Sequence, residues 1–191
     1  MKRLYIDIET SGLNAYRNGI IQIAGIIEVD GEEKESFNFN MNVFEDDLIE
    51  DKALEINNIT REQIAEFEDP KIVYSKLIAL MKKYVDRYDK KDKFVFVAYN
   101  ASFDNDFIRH WFKKNSDKYF GAWFWNPYID VMTIAHHLVG DSRSEMENFK
   151  LDTVARVFNI ETNKDDLHDA SYDIKLTRQI YRQLLSWKHA G

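Results

Sequence analysis

Four carboxylates in this sequence stand where a folded chain ordinarily puts apolar or neutral side chains. Asp7 and Glu9 are two apart in KRLYIDIET, so on a strand both project from one face near its carboxyl end. Asp104 shares a helical stripe with Phe107, Ile108 and Trp111, the side that packs inward. Asp173 lines up with Ala170, Thr177, Ile180, Tyr181 and Leu184, and His168 precedes it by about one turn. Taken singly, each has an ordinary explanation: a solvated edge, an acid favoured by a helix dipole, a capping aspartate beside a surface histidine. Taken together, they point to cations. Carboxylates gathered within a few ångströms repel, and some would protonate unless a cation neutralised them. Oxygen ligands without cysteine select Mg²⁺ or Mn²⁺, and two such ions about 4 Å apart clamp a phosphate for in-line attack by water. His168 is placed to take the proton from that water.

The elements that must position these groups are legible from periodicity. Residues 3–9 alternate, with Leu4, Ile6 and Ile8 on one face and Tyr5, Asp7 and Glu9 on the other. A β-branched run over 19–29, broken by Gln22, and an alternating segment over 34–41 are joined by Asp30-Gly31, a hairpin dipeptide. Three antiparallel strands therefore open the chain. From Asp69-Pro70, a cap followed by proline in the first turn, Val73, Leu77, Leu80, Met81, Tyr84 and Tyr88 recur at helical spacing. Residues 94–98 read as a buried strand, 102–114 as a helix, 128–139 as a strand end running into a helix, and 151–158 as a short helix. A last helix covers 169–187. Hairpin strands first and strand-helix alternation afterwards predict an α/β fold, a mixed sheet flanked by helices.

Composition narrows the class. With 191 residues, 45% of them hydrophobic, the chain has the length for one domain over 1–191 and is too apolar for disorder. Its net charge of −7 argues against a purely electrostatic duplex binder, although local fields still allow an enzyme acting on nucleic acid. The absence of cysteine removes disulfide frameworks, thiolate zinc sites and cysteine nucleophiles together. The opening decapeptide reaches Asp7 and Glu9 before any apolar run, and no apolar stretch is long enough for a membrane span, so a soluble, cytoplasmic protein is expected. Positive charge concentrates between Lys82 and Lys118. Beside it lie Trp111, Tyr119, Phe120, Trp123, Phe124, Trp125 and Tyr128, which fit either a core or a stacking platform for single strands. His136 and His137 are adjacent on a helix and cannot both face one metal, so they read as structural or exposed.

The three acidic motifs resemble those of the DnaQ-like 3′-to-5′ exonucleases of the DEDDh class, which have a ribonuclease H-like fold. Asp7 to Leu13 is similar to the first motif, with Ser11 where threonine is common. YNASFDNDF over 99–107 resembles the second, and His168 to Asp173 the third. The sister class has a tyrosine four residues before the last aspartate; that place holds Asp169 here, so the histidine class fits. The likeness extends to Ile56-Asn57-Asn58-Ile59-Thr60, with Asn58 where glycine is usual, a mild departure because asparagine tolerates the left-handed conformation. It also covers 130–135 and 151–155.

The resemblance implies that Asp7 bridges two Mg²⁺ (or Mn²⁺) ions, that Glu9 and Asp173 hold the ion carrying the nucleophilic water, and that Asp104 supports the second. His168 would be the general base. Thr10, Ser11, Gly12 and Leu13 would grip the terminal nucleotide, with Leu13 wedged between bases; Asn100 is assigned to the same substrate side, and Phe103 either lines that pocket or anchors its helix hydrophobically. The implied partners are 3′ ends of single-stranded nucleic acid, DNA ahead of RNA, and a DNA polymerase if the chain proofreads. With the last helix ending close to Gly191, such a contact is expected to use the domain surface or another chain. A noncatalytic binding module is the alternative of another class, but a module freed from catalysis has no physical need for a repulsive cluster.

Overall fold

The computed structural model describes residues 1–163 and 169–187. Strand β1 (Lys2–Thr10) lies in the middle of a five-stranded sheet. On one side it pairs antiparallel with β2 (Ile20–Val29), which pairs antiparallel with β3 (Glu32–Asn40). On the other it pairs parallel with β4 (Val95–Ala98), which pairs parallel with the two-residue β5 (Ile129–Asp130). The order is β3-β2-β1-β4-β5, the mixed sheet expected from the sequence. At the β2–β3 turn Asp30 and Gly31 both have positive φ, +53° and +87°, the paired left-handed conformation of a tight hairpin.

Each face of the sheet is covered. Leu4, Ile6 and Ile8 point into a core shared with α3 (Pro70–Met81) and α4 (Ala101–Lys114). Tyr5, Ala24, Ile26 and Val97 point the other way, against α6 (Val131–Val139), α7 (Leu151–Val157) and α8 (Ala170–Trp187). Burial on both sides explains why β2 is nearly all apolar, with Gln22 only half-buried inside it. Of the aromatic run, Trp111, Phe120, Trp123 and Phe124 belong to the core, whereas Tyr119 and Trp125 are exposed. His136 and His137 are both exposed.

Several elements depart from the periodic reading. Helix α3 stops at Met81 although apolar spacing runs on to Tyr88. The chain turns there so that Val85 enters the core and Tyr88 is left 88% exposed. The segment between β3 and α3 holds two short helices, α1 (Asp51–Ile56) and α2 (Arg61–Glu66); α2 opens on a capping box between Thr60 and Gln63. A single turn, α5 (Phe120–Trp123), and a 3₁₀ turn over Gly140–Glu145 complete the chain. Among the described residues no helix is long and apolar enough to cross a membrane.

Candidate active site

The alternation of β1 that buries Leu4, Ile6 and Ile8 on one face turns Asp7 and Glu9 toward α8. Asp173 lies in the first turn of that helix, one position before buried Ile174. Ligand oxygens of Asp7, Glu9 and Asp173 all lie within 4.8 Å of one another, and each of the three side chains is half-buried. Asp104 comes from the other layer. Strand β4 pairs with β1 only through Arg3, Leu4 and Tyr5, so past Tyr5 that edge of β1 is uncovered. The chain leaves β4 through Asn100, in the left-handed conformation at φ +60°, and the first turn of α4 fills the gap with Asp104, 3% exposed.

This crowding is visible in the acidities. Burial lifts the Asp7 carboxyl well above its ordinary range, and the charges of Asp104, Glu9 and Asp173 add to the rise. Burial, followed by Asp173 and Asp104, raises Glu9 to about 8. Burial also raises Asp104 to about 8, against the backbone amides of Asp104 and Ile8, which favour its charged form. A half-buried group of like charges built wholly from carboxylate oxygen is what a hard divalent cation neutralises, so these residues fit Mg²⁺ or Mn²⁺. His168 lies outside the described residues.

Beside the carboxylates is a hollow of about 200 Å³ bounded by Glu9, Thr10, Gly12, Leu13 and Phe103 on one side. Its other wall is α1, through Lys52, Ala53, Ile56 and Asn57, and Asn57 Nδ2 donates to the Thr10 carbonyl at 3.1 Å. Leu13 projects from the rim, 82% exposed. A Cβ on Gly12 would meet the Asn18 side chain at 2.3 Å and Glu50 Oε1 at 2.6 Å, so a larger residue here would have to displace both side chains.

Ser11 and Asn100 sit differently from the rest of the expected substrate set. The Ser11 hydroxyl turns inward, donating to the Leu48 carbonyl at 2.7 Å and accepting from the Gly19 amide at 2.9 Å. Asn100 makes the turn into α4, its amide donating to Asp130 Oδ1 at 3.1 Å. Neither lines the hollow. The α1 wall was not assigned from sequence. Its signal was the Ile56–Thr60 segment, where Asn58 adopts φ +48°.

Residues 4–181 match a family model described as an exonuclease, RNase_T. The chain is 27% identical over 179 residues to a DNA polymerase III PolC-type of Bacillus cereus, covering 94% of this chain and 11% of that protein. The chain thus spans about a tenth of the PolC-type relatives it matches. It is 25% identical over 197 residues to ribonuclease T of Photorhabdus laumondii, covering 97% of this chain and 85% of that one. Among solved structures it is similar to E. coli Exonuclease I in complex with a dT13 oligonucleotide. There the TM-score is 0.74 and the identity 21%, over 96% of this chain and 40% of the other.

Proposed function

Because this chain belongs to the RNase_T exonuclease family, we propose that it is a metal-dependent 3′-to-5′ exonuclease releasing nucleoside 5′-monophosphates from single strands, with DNA preferred. The observation that carries the reading is the meeting of Asp7, Glu9 and Asp173 within 4.8 Å beside the hollow that Glu9 lines. The whole chain, 1–191, is read as one exonuclease domain, and a cytoplasmic location goes with a nucleic-acid substrate.

In this reading Asp7, Glu9 and Asp173 hold the ions and Asp104 completes the charge on the α4 side. Two bound Mg²⁺ or Mn²⁺ ions supply Lewis acidity and counter-charge at the phosphate. Thr10, Gly12, Leu13 and Phe103 receive the terminal nucleotide, with α1 as the facing wall. Ser11 holds that loop in shape through Leu48 and Gly19, and Asn100 sets the entry of α4. A water oxygen forms the new bond to the terminal phosphorus as the bond to the penultimate 3′ oxygen breaks. His168 takes the attacking water's proton, and the leaving 3′ oxygen takes a proton from solvent to depart as a 3′-hydroxyl.

DNA stands first because the likeness includes a PolC-type DNA polymerase and a nuclease bound to dT13; that likeness also supports proofreading beside a polymerase. RNA trimming is the second reading, favoured by the near full-length likeness to ribonuclease T. The test is digestion of matched 5′-labelled DNA and RNA strands with Mg²⁺, with Mn²⁺ and with chelator. A metal-dependent ladder shortening from the 3′ end is expected, and the DNA-to-RNA rate ratio selects the sugar. Intact strands after incubation with folded, metal-loaded protein would refute the proposal in favour of a binding module.

A further inference from the structure

Two segments far from the carboxylates, 82–93 and 117–125, form one surface that packing does not explain. They are joined by the parallel bridge of Phe94 to Phe124 and by stacking of the Arg87 guanidinium, 5.2 Å from the ring of buried Trp123. Five lysines on or beside it, Lys82, Lys90, Lys91, Lys113 and Lys118, form no ion pair among the described residues; Lys93 forms none either, although its Nζ donates to the Gly121 carbonyl at 2.5 Å, and Lys2, Lys83 and Lys114 nearby are each paired. The acids between them are partly committed. Asp92 is bound by Lys2 and Asp117 by Arg87, while Asp86 and Asp89 accept from the amides of Tyr88 and Lys91.

The same surface leaves large aromatic rings in water. Tyr88 is 88% exposed, Tyr119 67% and Trp125 41%; the other exposed large aromatic among the described residues is Tyr16. Each ring here has a cation over or beside it: Arg87 lies 5.9 Å from Tyr88 and 5.6 Å from Tyr119, and Lys93 Nζ lies 5.2 Å from Trp125. Trp125 also edges a hollow of about 240 Å³ lined by Lys2, Lys91 and Lys93 together with Asp30 and Asp92, the latter paired with Lys2. A core function accounts for Trp123 and Phe124, but not for rings that stay outside.

We infer that this surface binds single-stranded nucleic acid, holding the 5′-ward part of a strand whose 3′ end lies at Asp7, Glu9 and Asp173. The placement of the 3′ end rests on the function proposed above; binding to the surface does not. Exposed rings offer stacking to unpaired bases of any sequence, and unpaired lysines beside them meet the phosphates. A duplex keeps its base faces stacked and would leave the rings unused. The surface lies at the start of β4, level with Arg3, and Glu9 is six residues further along β1, about 20 Å away. A dinucleotide at the carboxylates therefore cannot reach it, and a longer strand can.

The test separates the two sites by length. Anisotropy of a labelled oligothymidylate of about 20 nucleotides, in chelator, reads the surface, and metal-dependent cleavage of a thymidine dinucleotide reads the carboxylates. Trp125→Ala is expected to weaken long-strand binding about 5- to 150-fold, with Trp125→Phe restoring most of it. The double variant Lys90→Gln/Lys91→Gln is expected to reduce the slope of log affinity against log salt by about 1.4. Dinucleotide cleavage should match wild type in all three. Unchanged long-strand affinity in Trp125→Ala and in the lysine variant would overturn the inference. So would equal competition by polyglutamate, which would assign the surface to acidic protein segments. Loss of long-strand binding in Trp125→Ala, with a wild type that leaves the dinucleotide uncut, would support the surface while defeating the proposed reaction.

Discussion

Gln22 ties the strand side of the carboxylate cluster to the helix side through Asp169. Its Nε2 donates to Asp169 Oδ2 at 3.2 Å and to Asn38 Oδ1 at 3.1 Å, and its Oε1 accepts from the Ala170 amide at 3.3 Å. In the β1–β2 register Gln22 stands directly opposite Glu9, and Asp169 caps α8 through the Tyr172 amide at 3.0 Å. One side chain thus fixes the start of the helix that carries Asp173 relative to the strand that carries Glu9.

Gln22→Leu should therefore leave the fold intact and loosen the site. The expected result is a loss of about 10- to 100-fold in Mn²⁺ affinity, with kcat falling more than KM rises. Calorimetric titration with Mn²⁺, together with circular dichroism to verify folding, checks this apart from turnover.

Asp7→Asn should abolish metal-dependent hydrolysis, by about 1000-fold or more, because it removes the proposed ligand whose charge couples to both Glu9 and Asp104. The same change relieves repulsion in the metal-free protein. Its melting temperature in chelator should rise by about 2–4 °C while that of the metal-loaded protein falls. Paired melting curves decide this, and a lower Tm in chelator would contradict the electrostatic account.

The pH dependence of metal-free stability has a definite sign. Glu9 and Asp104 are lifted to about 8 and Asp7 is raised well above its ordinary value. In the unfolded chain such groups titrate near pH 4. Between about pH 4 and 8 the native protein keeps protons that the unfolded chain has released, so these groups make stability fall as pH rises. In the proposed metal-bound form a divalent cation would replace those protons. Added Mg²⁺ should accordingly raise Tm more at about pH 8 than at about pH 5.5, which melting curves with and without chelator measure.

Glu28 carries the opposite sign. Burial pushes its carboxyl up, but hydrogen bonds from Arg178, Arg3 and Arg182 more than offset this and hold it below its ordinary value. Its contribution is present above the ordinary carboxylate range and is lost as pH falls through its lowered pKa. Glu28 is 2% exposed, and Glu28→Ala would leave three guanidinium groups without their shared partner, costing about 3–5 kcal/mol. Denaturant unfolding measures the loss, and hydrolysis per folded molecule should survive at low temperature.

Much of this protein was legible in the sequence because its signals are local. Alternation over β1 gave both the face that carries Leu4, Ile6 and Ile8 and the face that carries Asp7 and Glu9. Asp30-Gly31 marked the hairpin, and Asp69-Pro70 the start of α3, where Asp69 caps the Lys71 amide at 2.7 Å. The stripe that held Asp104 and Asp173 on inward faces came from helical spacing alone. The end of α3 was not local in this sense. Apolar spacing continued to Tyr88, but the chain turned at Lys82 because Val85 could fill the core.

What the sequence determined by itself was which side chains have chemistry to perform and which face of its own element each one occupies. Only the tertiary structure decided that the faces meet. Asp104 comes near enough to act on the charge of Asp7 because β4 leaves the edge of β1 after Tyr5, and Asp173 joins Asp7 and Glu9 because Gln22 anchors α8 over Glu9. Tertiary packing also made α1 the second wall of the hollow and turned Ser11 inward to hold its loop. Periodicity reports a residue's orientation about its own axis. Distance between elements is set by packing and by hydrogen bonds between residues as far apart in the chain as Gln22 and Ala170.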